Sequence, residues 1–565
     1  MKKMTSKIIN TNFVKRGIIA IVCLTTSLVR AEPMVMTITL DSSIRYQTIE
    51  GLGGAICFYN GWYTAHPHKQ EIYDLAFSGL NLSMLRIANW WRGVDGRDTD
   101  IYEIVAAANQ SLGRPVPILM SSWSPPAYLK SNGEVGNGGT LIQANGGYDY
   151  AGFADYWYDS LQDYRSRGVN PTWITIQNEP DWTASYDSCR FDPTEGQHAS
   201  YALAQDAVYH RLQDLDSPPK LLSPDCVGLY GNASALRNYM THMSPDTFYG
   251  IAHHLYGGST DGTPDGYIPA FNAVRNTRNT LYPEKPIFMT EFGDITGLVN
   301  VANLIHNSLA IEQVSGYNHW CLIWPGEIGL IEIEFPWGSG DWTSPKGYWL
   351  NPSYWSMKHY SYYVQPGFRR VKAESGNSNV LASAYLSPDH KRLVGVFVNR
   401  STTNPAHVTL NPGSFAYDHS SVFQTAGESH FQTLGPLHGQ QLELPAESVT
   451  TVVLDHFGPV APTGLCATQI IDSQINLSWT AAPSALSYNV KRSTAAGGPY
   501  SVIAANITTT NFCDASVEAG QAYYYVVSSN APDGESANSI EATPVTVSTY
   551  LKFDETSGTV AYDAT

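Results

Sequence analysis

Glu179 stands in the stretch WITIQNEPDW, where four strand-forming residues run into Gln177, Asn178, Glu179 and then Pro180. Proline has no amide hydrogen and cannot continue a sheet ladder. Glu291 stands in PIFMTEFGD, again at the end of a short apolar run, with Gly293 two residues on to turn the chain away. A carboxylate that closes a strand is held at the rim of a sheet. Two such carboxylates facing each other across one pocket suit the cleavage of a glycosidic bond: one protonates the leaving oxygen and the other, ionised, meets the anomeric carbon. Spacing alone does not say which glutamate takes which part.

The elements that would place them are legible in the alternation of short apolar runs with longer amphipathic ones between Thr48 and Trp355. Candidate strands end at IEGLGGA, LSMLRIA, VPILMSSW, TWITIQNE, KLLSPDC, YGIAHHLY, PIFMTE and NHWCLIW. Eight strands, with about 38 residues per step, predict a (β/α)8 barrel, in which all strand C-terminal ends converge on one face. Segments such as ADYWYDSLQDYRSRG place Tyr and Leu at helical spacing and stop at glycine. An open doubly wound sheet is the competing architecture, but no GxGxxG or Walker A loop follows any strand, and no cofactor is expected.

Outside the barrel, expected over residues 49–355, the texture changes. Residues 356–457 read as a side β-sandwich domain of short alternating strands, joined by the pre-barrel strand within residues 32–48. GPVAPTGL is a Pro/Gly linker. Residues 458–545 look like an all-β fibronectin type III module with Trp479 as its buried aromatic. Residues 546–565 resemble the first strand of a laminin-G or lectin-like module, cut short. Residues 1–31 read as a signal peptide: a basic leader, the apolar stretch GIIAIVCLTTSL and a small residue, Ala31, at the cleavage site. The expected location is therefore secreted, whether extracellular, periplasmic or cell-surface.

Bulk composition narrows the partners. Aromatic residues make up 12% and charged residues 15% of the 565, a mixture suited to neutral polar ligands bound on aromatic faces. The net charge of −17 argues against nucleic acid and anionic membranes, which require basic surfaces. No segment after the leader has the length of a membrane span. The six cysteines beyond Cys23 show no CxxC spacing, so no structural zinc site is expected. There is no GxSxG elbow and no HExxH helix.

IEGLGGA, LRIA, SSWSPPAYLKSNG, QNEPDW followed by YDSC, HHLY, MTEFG and QPGFRRV occur in an order that resembles glycoside hydrolase family 30, a retaining β/α-barrel family. The resemblance runs from the pre-barrel strand through the side domain. It implies that Glu179 is the acid/base and Glu291 the nucleophile, and that Asn178 reaches the 2-hydroxyl of the sugar being cleaved. Arg86 is then placed to keep Glu291 charged through a bidentate pair. His254 and Tyr256 share one strand face and His253 the other, so Tyr256 is placed to bond the nucleophile and His254 to line the pocket. A metal on the histidines would need a third ligand that the sequence does not place, and none is expected. Trp123 and Trp320, closing the third and eighth strands, are candidate walls for a pyranose ring, extended by Trp324, Trp337 and Trp342.

Within the family the loop stretches are most similar to bacterial xylanases. Members that require a glucuronosyl side group carry an arginine and a tyrosine after the eighth strand. Here that loop, PGEIGLIEIEFPWGSGDWTSPKG, has no arginine and presents Glu327, Glu332 and Glu334, which would repel an acidic substituent. The expected substrate is plant cell-wall xylan or its oligosaccharides, cut without dependence on glucuronate by a monomer. Other β-glycanase or β-glycosidase activities of the family, or a non-catalytic carbohydrate-binding protein, are the alternatives.

Overall fold

The computed structural model describes residues 32–546 except 59, 93–98, 145, 335–345, 472, 484 and 532–533. The signal-peptide and lectin-like expectations, and Trp337 and Trp342, lie outside the described residues. Eight parallel strands close into a barrel: Gly51–Ala55, Met84–Ala88, Ile118–Ser121, Pro171–Thr175, Lys220–Gly228, Gly250–Tyr256, Ile287–Glu291 and Val314–His319, in that order. The eighth pairs back onto the first through Gly316–Gly51 to His319–Gly54. A closed barrel wrapped in helices is buried on both faces, so its strands carry little polar alternation. Gly53 shows how closely the first and second strands approach, since a Cβ there would sit 1.7 Å from the carbonyl oxygen of Met84.

Inside the barrel the side chains form layers. Met84, Leu119, Trp173, Leu222, Ala252 and Phe288 make an apolar plug. Side chains two residues further along a strand share the same face. The next layer toward the C-terminal end therefore holds Arg86, Ser121, Thr175, His254 and Thr290. On the fifth strand a register irregularity between Pro224 and Cys226 brings Asp225, fully buried, into that layer. A polar, charged storey thus rests on an apolar one, directly beneath the barrel mouth.

Two features differ from the sequence reading. The eighth strand is Val314–His319, a buried stretch containing Ser315, Gly316, Asn318 and His319. The more hydrophobic run after it only supplies Ile323–Trp324 to a small separate sheet with Ile331–Ile333 and Tyr348–Leu350. The last barrel helix spans Pro352–Ser361, so the boundary expected at residue 355 falls inside a helix. That helix touches both domains, with Tyr354 donating to the Leu75 carbonyl and the His359 ring bonded to Thr451 and Thr425.

The side domain is one nine-stranded sheet folded over its own core, so that a single sheet supplies both sides of the sandwich. Met34–Thr48 lies in its interior, antiparallel to Arg369–Glu374 and parallel to Ala406–Asn411. A second sandwich follows, of two four-stranded sheets in fibronectin type III-like arrangement, with Trp479 buried against Tyr488. No described helix is long and apolar enough to cross a membrane.

Candidate active site

The barrel mouth opens into a cavity of about 1040 Å³ lined by Glu179, Glu291 and a concentration of aromatic side chains. Glu291 ends the seventh strand, as expected. Glu179 does not end the fourth, which stops at Thr175. The chain continues as an irregular segment in which Asn178 donates its amide to Ser122 O and Glu179 donates its own to Asp225 O. Glu179 has φ +52°, the left-handed region that costs a residue with a Cβ on the order of 1 kcal/mol. Strain of this kind is held in place by its surroundings and concentrates where a side chain must be aimed.

Arg86 is completely buried below the two glutamates. Its fork is divided, in contrast to the expected bidentate pair with Glu291. One terminal nitrogen donates to Glu291. The other donates to Asn178 Oδ1 at 2.7 Å and to Asp225 at 3.4 Å, and Nε donates to Ser121 Oγ at 3.1 Å. The guanidinium also lies 4.7 Å from the Trp123 ring centre. Four acceptors, from strands three, five and seven and the segment after strand four, share one planar group, and each holds it in place. Tyr256 donates to Glu291 Oε1 at 3.0 Å, which fixes the other carboxylate oxygen.

His254 is also fully buried and does not line the cavity, contrary to the expected wall position. It sits behind the glutamates, with Nδ1 3.1 Å from Glu179 Oε1 and Nε2 3.5 Å from Asp225 and 3.8 Å from Glu291. Burial opposes its charge, but Glu291 and Asp225 outweigh burial and push the imidazole up to about 10. Asp225 is likewise penalised by burial. The His254 imidazolium, Arg86 and the Thr290 hydroxyl hold it well below the ordinary carboxylate range. Thr175 and Thr290 donate to it at 2.7 and 2.5 Å. Glu179 is raised, by burial first and by the nearby Glu291 charge, against the lowering hydrogen bond from His254.

Glu179, His254 and Glu291 each place one ligand-type atom within 4.8 Å of the others, so the geometry supplies the third metal donor that the sequence did not. The donor set fits an imidazolium better than an ion. With carboxylates facing both ring nitrogens, His254 keeps both protons at neutral pH and has no lone pair to give. His253 faces outward, its Nε2 2.7 Å from buried Glu312.

Trp123, Trp320 and Trp324 all line the cavity. Phe58 packs edge-on against each of them, with ring centres 5.9 to 6.5 Å apart. Asn178 is nearly buried, with its carbonyl oxygen occupied by Arg86. Sequence reasoning missed Asp225, Tyr186, Tyr230 and the cavity-lining Asp100 and Asp294. The place of Asp225 near the C-terminal end of a barrel strand was readable in the sequence, but its inward orientation, set by the irregularity in that strand, was not. Tyr186 belongs to the quoted YDSC stretch, and its hydroxyl is pushed up by burial first and then by the Glu179 and Glu291 charges.

No family model matches the chain. Glucuronoxylanase XynC of Bacillus subtilis is 25% identical over 435 residues, spanning 74% of this chain and 92% of that protein. Putative glucosylceramidase 2 of Caenorhabditis elegans is 23% identical over 439 residues, spanning 68% and 81%. Among solved structures, the glycoside hydrolase family 30 subfamily 8 xylanase Xyn30A of Clostridium acetobutylicum superposes with a TM-score of 0.57 at 23% identity, over 74% of this chain and 99% of that one. The chain therefore has the fold of that family 30 xylanase, barrel and side sheet together, with a pair of buried carboxylates at the open end of the barrel.

Proposed function

We propose that this protein is a secreted retaining β-glycanase that hydrolyses β-1,4-xylan without dependence on glucuronosyl side groups. The observation that carries the reading is the unlike environment of two close carboxylates. Their oxygens approach within 4.8 Å, near the short separation of retaining enzymes and well below the 6.5 Å or more that an inverting enzyme leaves for water. Glu179, raised by burial and by its neighbour's charge, acts as the acid that protonates the leaving oxygen. Glu291, gripped by Arg86 and Tyr256, attacks the anomeric carbon and forms the glycosyl ester. Glu179, now ionised, takes a proton from water, which releases the sugar with its configuration retained. Asn178, its oxygen taken by Arg86, offers amide hydrogens to the 2-hydroxyl, where hydrogen bonds strengthen in the transition state.

The substrate reading rests on charge. The ionisable side chains lining the cavity other than tyrosine and cysteine are Asp100, Glu179, Glu291 and Asp294, all acidic. Among described residues no lysine or arginine lines it. A neutral chain enters such a cleft at less cost than one bearing uronate. Purified protein and its Glu291→Gln variant, incubated with linear arabinoxylan, glucuronoxylan, β-1,6-glucan and β-1,6-galactan, should release oligosaccharides equally well from both xylans, and the variant should release none. Cleavage of glucuronoxylan alone would overturn the charge reading, and cleavage of β-1,6-polymers alone would overturn the linkage. Retention of polymer without cleavage would indicate a binding protein.

A further inference from the structure

We propose that Tyr230, laid across the backbone of Gly257, forms a stacking subsite for the sugar on the leaving-group side of the cleaved bond. This inference rests on the glycanase reading of Glu179 and Glu291. Tyr230 follows the fifth strand by two residues and lines the cavity with half of its surface exposed. Gly257 directly follows Tyr256, the residue bonded to Glu291. A Cβ on Gly257 would lie 1.8 Å from Tyr230 Cε1 and 2.4 Å from Cζ, and one on Gly228 would lie 3.1 Å from Cε2. The ring is therefore supported on its inner side by bare backbone at the ends of two adjacent strands. Any side chain at 257 would lift it, and Gly257 also has φ +61°.

Position around the barrel assigns the side of the bond. The aromatic group Phe58, Trp123, Trp320 and Trp324 belongs to strand ends one, three and eight. Tyr230 and Trp182 belong to strand ends four and five, beyond the acid Glu179. The proton donor stands beside the leaving group, so what lies past it receives the departing sugar. An apolar ring face offered to solvent at that point matches the C–H face of a neutral pyranose or pentopyranose unit. With aromatic surface on both sides of the glutamates, the cleft holds a chain that continues past the cut, and cleavage falls within the chain.

The test separates a substrate with a leaving-group sugar from one without. Wild type, Tyr230→Ala and Tyr230→Phe would be assayed on linear xylopentaose and on β-xylobiosyl fluoride, whose leaving group occupies no sugar subsite. Tyr230→Ala should lose about tenfold in kcat/KM on xylopentaose, the equivalent of one good aromatic contact, and keep its turnover of the fluoride. Tyr230→Phe should retain both, because the ring rather than the hydroxyl is used. Equal loss on both substrates, or no loss on xylopentaose, would overturn the subsite. If the wild-type chain cleaved neither, the glycanase reading would fall, and this inference with it.

Discussion

At the scale of single residues, the site is a set of charges that must balance in one protonation state. When Glu179 holds its proton, Arg86 and His254 carry two positive charges, and Glu291 and Asp225 carry two negative ones. Asp225 does not line the cavity and has no place in bond cleavage; its negative charge offsets part of the positive charge of His254 and Arg86. In Asp225→Asn the buried layer gains one net positive charge. His254 stays protonated, since Glu291 remains beside it as the largest influence raising it. An added positive charge favours ionised Glu179, so its pKa falls. The alkaline limb of the pH profile of kcat/KM should accordingly move to lower pH by about one unit, from charges several ångströms apart in a partly screened interior. Among the neighbouring titratable groups, Asp181 and Asp294 are carboxyls raised by burial, and Tyr186 and Tyr256 remain neutral over this range because burial raises both. A uniform loss of activity with an unmoved profile would show Asp225 to be structural only. Glu179 and Glu291 were legible because each closes an apolar run in the sequence. Asp225 was not, because only the irregularity in the fifth strand turns it into the barrel.

At the scale of elements, two loops beside the barrel mouth are fastened to each other. The segment after the third strand carries Tyr128 and the segment after Glu179 carries Trp182 and Tyr186, all about half exposed. Buried Lys130 joins them, its ammonium donating to the carbonyls of Val135 at 2.8 Å and Ser188 at 2.5 Å, with Gly136 at 3.3 Å. Ser188 reinforces the junction, accepting from Gly138 N at 2.9 Å and donating its own amide to Val135 O. Both loops were quoted as motifs from the sequence, SPPAYLKSNG and YDSC, but a lysine in a polar loop reads as a solvated charge. Its use as a buried tie appears only when the loops meet. Lys130→Met removes the donor and leaves these carbonyls unsatisfied at roughly 1–3 kcal/mol. Opening should be local, so proteolysis within residues 126–142 or 182–190 should accelerate about tenfold or more while the global unfolding midpoint changes little. A fall in the midpoint without faster local cleavage would mean that the tie belongs to the whole fold. The eighth strand marks the limit of pattern reading at this scale. Its buried glycine, asparagine and histidine look less like a strand than the apolar run that follows, because burial on both faces and a functional end erase the usual alternation.

For the whole molecule, the two β domains stand in different relations to the barrel. The strand Met34–Thr48 runs through the middle of the nine-stranded sheet and leads directly into the first barrel strand, while Ile49 exchanges backbone hydrogen bonds with Gly367 and Phe368. Barrel and side sheet are thus parts of one folding unit, and a chain without residues 32–48 would split that sheet and expose the faces of Ile38 and Leu40, both buried in its core. The fibronectin-like sandwich has a separate core, and none of its described residues lines the cavity at the barrel mouth. A chain ending at residue 457 should therefore cleave soluble xylo-oligosaccharides with kcat/KM within about twofold of the full chain, because the groups that contact such a substrate are all present. A chain lacking residues 32–48 should be insoluble or unfolded by circular dichroism. Loss of soluble-substrate turnover on removing residues 458–565 would show that the sandwich supports the catalytic unit. Unchanged turnover, with loss confined to insoluble xylan, would place its contribution in reaching the polymer rather than in breaking the bond.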